Sequence, residues 1–353
     1  MNTTKYFMKV TALQPISHIG RSASTGSLFN TEDVLLANGQ SVAVPLVTGN
    51  AMKGVLRRVG MEAMLSLLGL DPEAANYLAD DQPNPLTQNR LEILMNGSIL
   101  SKQSSGRGIN VDLGAKFADL IPWFAVVGGC LGNTMMQGRI SVQPLTLICE
   151  ENRARLEMME EDIALGTFTG AETGERVHIL EGEALIPARR TLQQQNFSHK
   201  DDFHGGAATR YLSEGERQKL LTAQTAEQEK REDADYQDDQ TGQHVQMRYS
   251  LQTIKAGAKF FWRIDTFDLT PLMEDAFLTT MAFFLSRPYV GGNRRQGLGL
   301  VSVRCIGMNR VEPAKGEWSQ DVGFKVGDPY LSHLKARRAE ILAVIQALAP
   351  EGK

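Results

Sequence analysis

Three cysteines in 353 residues are too few for a disulfide framework. Cys130, Cys149 and Cys305 lie far apart in apolar settings, without the paired spacing of a zinc site, and read as core thiols. No run of about 18 apolar residues is present, which excludes a membrane-spanning helix of ordinary length. The opening MNTTKYFMKV has no apolar segment of the kind a secretory signal carries, and these absences together predict a cytoplasmic protein. A basic surplus is missing too. There are 37 Lys and Arg against 41 Asp and Glu, a net charge of −4 and a pI near 5.9, which excludes a surface coated in base for nucleic acid. No Gly-x-Ser-x-Gly elbow occurs, so a nucleophilic triad has no support.

What the chain does have is enough apolar residues, 42%, for a core in one elaborated domain or two ordinary ones. It also has an unusual loop, VGGNRRQGLGLV, at residues 290 to 301. In nucleotide cradles a strand enters the glycines and a helix leaves them. Here a helical run, TPLMEDAFLTTMAFFLSRP, comes first and an alternating run, GLGLVSVRCI, follows. The glycines at 291, 292, 297 and 299 also miss the dinucleotide fingerprint. The bland reading is a glycine-permitted turn with solvated arginines. The functional reading is a polyanion contact in which Arg294 and Arg295 fork onto phosphate oxygens and glycine lets the main chain come close.

Local charge favours the second. From Ser286 to Arg304 there are four arginines and no acid, and TGNAMKGVLRR carries Lys53, Arg57 and Arg58, again without an acid. The acidic balance is concentrated in Glu214 to Asp239, a polar stretch that reads as a solvated helix or arm.

The patterning gives an order of elements. KYFMKVTAL alternates Tyr6, Met8, Val10 and Ala12 against Lys5, Phe7, Lys9 and Thr11, a half-buried strand. Residues 17 to 41 are rich in Ser, Gly and Asn and read as a loop. Met52, Val55, Leu56, Val59, Ala63 and Leu67 then recur at helical spacing, with Thr48 or Asn50 as N-cap and Gly69 as the stop. Asn50, Lys53 and Arg57 share the opposite stripe. GRISVQPLTLI reads as a strand, AKFADLIPWFAVVGGCLG as a buried helix or irregular apolar segment, and MRYSLQTIKAGAKFFWRIDTF as a second alternating stretch. A helix near 271 to 286, a strand over 298 to 306 and a last amphipathic helix, PYLSHLKARRAEILAVIQALA, complete the chain. Without its insertions the chain runs strand, helix, strand, strand, helix, strand. That order predicts an α+β protein with a ferredoxin-like (RRM-like) sheet backed by helices on one face, although no aromatic RNP signature is present.

At the two basic segments the chain resembles a family. TGNAMKGVLRR resembles the PGSSLKGxLR segment of the CRISPR-associated RAMP superfamily, and residues 290 to 299 are similar to its C-terminal glycine-rich loop. IKAGAKFFWRI is similar to the strand after the thumb in that superfamily's backbone subunits, and SHIGRSASTG (residues 17 to 26) resembles the loop after their first strand. These short motifs, spread over most of the chain, are closest to a Cas-seven-like backbone subunit of a type IV effector. The resemblance implies a palm over 1–165 and 255–308 with finger or web insertions at about 21–47 and 79–114, a thumb and acidic arm over 166–254, and a helical extension over 309–353. It implies a non-catalytic subunit that polymerises along guide RNA in an antiviral effector complex, holding the sugar-phosphate chain and leaving bases free to pair with target.

On this carry-over His18, Arg21, Ser22, Asn50, Lys53, Arg57, Asn293, Arg294 and Arg295 line the guide, and Gly20, Gly49, Gly291, Gly292 and Gly297 let the backbone approach it. The thumb offers Arg189, Arg190 and Lys200, with Phe197 or Phe203 to stack or wedge. The implied partners are CRISPR RNA, target DNA or RNA, further copies of the chain, Cas-five-like and large-type subunits and an accessory helicase. No cofactor or metal is implied. Three rivals remain. RNA-cleaving members carry a first-loop aspartate where this chain has Phe29 or Asn30, which leaves Asp33 as the alternative catalytic carboxylate of a metal-dependent ribonuclease. His199 and His204 bracket Asp201 and Asp202 but share no helix or strand face, so a polar loop is favoured over a metal site. A structural filament held by basic segments on acidic arms is the third.

Overall fold

The computed structural model describes residues 2–23, 26–71, 86–97, 111–131, 134–164, 178–198, 213–219, 222, 248–312, 315–319 and 322–348. The chain divides into two compact units. One comprises Met1–Leu56, Arg139–Phe197 and Arg248–Val326, the other Arg57–Gly138, Ser198–Met247 and Gly327–Lys353. Helix α1 (Gly49–Leu67) runs through the boundary.

The first unit is built around β1 (Thr3–Ala12), which pairs antiparallel with β12 (Lys259–Phe267) on one side and β13 (Val301–Glu312) on the other. Beyond β13 lies β14 (Lys315–Ser319), and beyond β12 lie β9 (Leu145–Leu147), β5 (Ser41–Val47) and β4 (Thr31–Leu35), all antiparallel. GRISVQPLTLI is not one strand. Pro144 interrupts it into β8 (Ile140–Val142) and β9, which take successive stretches of β12.

Helix α7 (Pro271–Ser286) packs on the face that carries Tyr6, Met8 and Val10, where Phe277 lies 4.9 Å from Tyr6 and Phe284 lies 5.9 Å from Trp262, ring centre to ring centre. Its start follows from sequence. Thr270 accepts the Met273 N–H, and Pro271 sits in the first turn, where a missing donor costs nothing.

The opposite face departs from the expectation of a sheet backed on one side. Helix α5 (Arg153–Ala164) and residues 178–187 cover it, burying Phe7, Phe261, Ile148, Leu156, Ile163 and Ile179 in one cluster. Glu183 then takes Lys9 at 3.2 Å and Lys259 at 2.6 Å. The physical reason is the stacked Phe7–Phe261 pair in an otherwise polar row: burying two such rings outweighs leaving the face wet, and Glu183 neutralises the lysines that flank them.

A second sheet orders β10 (Leu192–Ser198), β11 (Arg248–Ile254), β3 (Gly26–Phe29) and β2 (Ile19–Ala23). The stretch 17–41, expected as a loop, therefore holds β2, β3 and β4. Its Ser, Gly and Asn residues have weak strand preference, but remote partners decide the matter: β3 runs parallel to β11, with Ser27 opposite Leu251. The alternating stretch 247–267 is likewise two strands in two sheets, broken at Lys255–Ala258, where Gly257 has φ +87°.

In the second unit α2 (Gln88–Asn96) is capped by Thr87 and ends at left-handed Gly97. The apolar run 115–132 forms α3 (Val111–Leu120) and α4 (Pro122–Val127), because Pro122 cannot continue the first helix and begins another. Short strands β6 (Gly129–Leu131) and β7 (Thr134–Met136) pair with each other directly after α4. The closing helix divides at Arg337 into α8 (Asp328–Ala336) and α9 (Arg338–Ala347), and residues 309–312 and 315–319, expected as helical extension, belong to β13 and β14. The Arg338 guanidinium donates to Leu68 O at 3.0 Å and the His333 ring to Leu120 O at 3.0 Å. Among the described residues no helix is long and apolar enough to cross a membrane, and no group of three or more His, Cys, Asp or Glu is placed to hold a metal ion.

Candidate nucleic-acid interface

Three segments of the first unit meet at Ser17 and His18. On one side is the glycine loop. Gly292 N–H donates to Ser17 O at 2.9 Å and Asn293 Nδ2 to Ser17 Oγ at 3.2 Å. On the other is the start of α1. Thr48 N–H donates to His18 Nε2 at 3.3 Å, and Thr48 Oγ1 lies at the same distance from that nitrogen. Thr48, not Asn50, is the N-cap: its hydroxyl accepts Ala51 N–H at 3.3 Å, an interaction worth roughly 1 kcal/mol. Two consecutive residues thus tie residues 290–297 to the first turn of α1.

The loop has a defined shape. Tyr289 and Val290 lead in, with Val290 N–H bonded to Gly299 O, and Gly299 N–H is bonded to Pro15 O. Asn293 and Gly297, both in the left-handed region, bracket a 3-10 turn, Arg294–Gln296. The Arg294 guanidinium lies over the Tyr289 ring at 5.6 Å and its Nη2 donates to Tyr289 O at 3.3 Å, and Arg294 and Arg295 are both exposed. Gln296 Nε2 donates to the Tyr249 hydroxyl on β11, and the Tyr249 ring stacks on Phe197 of β10 at 5.6 Å.

His18 is not a cation here. Its Nε2 accepts an N–H and so carries no proton, and burial holds the imidazole below its usual pKa, favouring the neutral ring. It orients α1 rather than carrying charge. Arg21 and Ser22 lie exposed on β2, with Ser22 Oγ 2.9 Å from Ser27 Oγ. Asn50 is exposed in the first turn of α1, which contains no acid, and Lys53 follows half-buried one turn on. The helix N-terminus with these side chains favours anions.

Arg57 departs from its expected role. It lies in the second unit, where Nη1 donates to Gly128 O at 2.6 Å and Nη2 to Val127 O at 3.4 Å, and burial lowers its pKa. The guanidinium caps the end of α4, because the helix leaves carbonyls there that need donors. The glycines also divide. A β-carbon at Gly20, Gly49 or Gly291 would fall 2.7, 2.2 or 2.1 Å from backbone of Asn30, Val142 or Ser17, so close packing within the chain accounts for them. Gly297 is accounted for by its φ of +74°. Gly292 is exposed, with nothing within 4 Å of that position and no left-handed φ, so the fold itself does not require glycine there.

Arg189 and Arg190 are exposed in the helical turn α6 (Ala188–Thr191), and Lys255 Nζ donates to Arg190 O at 2.8 Å. Lys200, Phe203, His199 and His204 lie outside the described residues. Asp33 is exposed on β4, beside a Glu32 that pairs with Arg155 at 2.6 Å. Sequence reasoning missed Ser17, Tyr249, Tyr289 and Gln296: Ser17 and Gln296 lie inside the quoted motifs and Tyr289 beside one, but none carries a charge that marks it, and Tyr249 lies in a strand far from them in sequence.

No family model and no curated protein matches this chain. Among solved structures it is similar to one described as a Type IV-B CRISPR complex, at 18% identity over 85% of this chain and 90% of that one, with a TM-score of 0.45. It is similar also to Csc2 of Thermofilum pendens, at 12% identity over 98% of this chain and 81% of that one, with a TM-score of 0.36.

Proposed function

We propose that this chain is a non-catalytic backbone subunit of a type IV CRISPR effector complex, gripping guide RNA by its sugar-phosphate chain. The observation that carries the reading is the junction at Ser17 and His18, which brings two acid-free basic segments, far apart in sequence, to one place. Arg294, Arg295, Lys53, Asn50 and Arg21 supply charge and hydrogen bonds, and Gly292, with empty space where a side chain would stand, leaves room for a phosphate to come close. Such groups bind phosphate and ribose without reading bases, as a guide of arbitrary sequence requires. An acidic overall pI is compatible with this, because charges beyond a Debye length of about 8–10 Å are screened.

The sheet order β13-β1-β12-β9, with α1 and α7 as the two crossovers, supports a ferredoxin-like palm. The β10–β11 pair, which flanks residues 199–247, is the base of the proposed thumb. Partners on this reading are CRISPR RNA, target nucleic acid, further copies of the chain, Cas-five-like and large-type subunits and an accessory helicase.

Co-expression with a repeat-spacer RNA, followed by purification and sequencing of the retained nucleic acid, tests it. Guide-length RNA should be recovered whatever the spacer sequence, and Arg294→Ala with Arg295→Ala should abolish its recovery while the protein stays folded. Each phosphate that the protein no longer neutralises should make the negative slope of log K against log salt shallower by about 0.7. Filaments that form without RNA and survive nuclease would show instead a structural polymer in which RNA is incidental.

A further inference from the structure

We infer that the cleft between α5 and the break that separates β8 from β9 binds a single phosphate-type oxyanion, gripped by Arg155 and Arg263. None of its residues belongs to the junction at Ser17 and His18, so the inference does not rest on the RNA reading. The cleft lies where Pro144 interrupts the strand, on the face of the sheet that α5 covers. Its volume is about 60 Å³, room for a few waters or one four-oxygen anion but not for a sugar or a base. Arg155 reaches it from α5 and Arg263 from β12, and Thr146 of β9 stands opposite Phe261 in the register and so on the same face. Among the described residues that line it there is no acid.

The acids stand outside the cleft and brace the arginines. Arg155 Nη1 meets Glu32 at 2.6 Å, and Arg263 Nη2 meets Asp265 at 3.1 Å. A guanidinium carries five N–H donors in a rigid fork, so a carboxylate on one Nη orients the group without exhausting it. Phe261 and Met159, which pack in the cluster with Phe7, give the cleft an apolar wall. Charge beside such a wall is poorly screened, which strengthens its pull on an anion. Two guanidiniums from separate elements repel a cation and offer a neutral ligand little. They suit an oxyanion, whose oxygens take planar N–H pairs from both sides while the Thr146 hydroxyl donates to a third. Two sources carry this chemistry: inorganic phosphate, and the terminal phosphomonoester of a nucleotide whose remainder stays outside. An internal phosphodiester, with a sugar on each side, is too large for the space.

The test is isothermal titration calorimetry of the full chain with inorganic phosphate, the ionic strength held constant with sodium chloride. Saturable binding is expected. Arg155→Gln should weaken it about tenfold or more, as loss of a charge-assisted hydrogen bond implies. Thr146→Val, which removes one hydroxyl donor, should weaken it about threefold to fivefold. Glu32→Gln should act in the opposite direction: it removes negative charge beside Arg155 and should tighten binding about twofold to fivefold. That contrast separates ligation from a merely structural ion pair, which would suffer alike from loss of either partner. A nucleoside 5′-monophosphate that binds as tightly as phosphate assigns the site to a terminal phosphomonoester, and one that binds about tenfold more weakly assigns it to the free ion. Absence of saturable phosphate binding by the unaltered chain, a measurement that needs no variant to fold, overturns the inference. Binding that Arg155→Gln and Thr146→Val leave unchanged also overturns it, since the ion is then held elsewhere. So does a Glu32→Gln protein that loses phosphate as Arg155→Gln does.

Discussion

Alanine at Gly291 and alanine at Gly292 should have opposite consequences, although the two positions are adjacent. At Gly291 φ is +74° and a β-carbon would fall 2.1 Å from Ser17 O. The left-handed conformation alone costs an alanine about 1–2 kcal/mol. Relieving the overlap must also pull Ser17 away from Gly292 N–H, now 2.9 Å from it, at a further cost of about 1 kcal/mol. Gly291→Ala should therefore destabilise the first unit by about 2–3 kcal/mol. It should also loosen the hydrogen bond between Asn293 and Ser17, and so weaken RNA binding roughly tenfold or more. Gly292→Ala meets nothing within 4 Å and has no left-handed φ to strain. It should leave stability unchanged or raise it by up to about 1 kcal/mol by restricting the unfolded chain. Yet it should weaken RNA binding, because a methyl group stands where phosphate approaches the backbone. Chemical denaturation followed by tryptophan fluorescence, with Trp262 buried in β12 as a reporter of the first unit, measures the first quantity. Anisotropy with single-stranded RNA measures the second. A Gly291→Ala protein as stable as the parent, or a Gly292→Ala protein that is destabilised to a comparable degree, would refute the loop geometry. Undiminished RNA binding by Gly292→Ala would remove the reason given for that glycine.

Arg57 should behave as a structural residue: Arg57→Lys, unable to fork onto both Gly128 O and Val127 O, should lower stability by about 2 kcal/mol while the salt slope of RNA binding stays constant, as paired denaturation and salt titrations will show. His18 has a depressed pKa, so the unfolded chain takes up its proton first as pH falls. The stability it contributes is complete above the ordinary value of 6.5 and drains away as pH drops through the lower folded pKa. Denaturation midpoints across that window should slope, and the slope should shrink in His18→Asn. Asp33→Ala should leave any RNA cleavage by the purified complex with added magnesium unchanged, and its abolition would establish the ribonuclease alternative.

The legible and illegible parts of this chain separate along a physical line. Local rules act through neighbours in sequence, and they read well. The alternation in β1, the Thr270-Pro271 start of α7, the capped start of α1 and the clustering of arginine with glycine at 290–297 each depend on spacing within a few residues. The expectation that 17–41 is a loop failed because β2, β3 and β4 owe their form to partners in β11 and β5. Arg57 and Lys53 look alike in sequence. Only packing reveals that the Arg57 guanidinium is occupied by the carbonyls that end α4. Phe7 looked like one aromatic residue on a polar face until Phe261, opposite Lys9 in the register, came beside it under α5.

By itself, then, the sequence determined the main strands and helices and the two basic segments free of acid, since these follow from residue type and short-range period. Tertiary structure alone decided that the segments meet. That meeting runs through Ser17 and His18, whose hydrogen bonds to Gly292, Asn293 and Thr48 join residues with no short-range relation. Contacts between distant residues depend on how the whole sheet pairs, and no local pattern encodes that pairing.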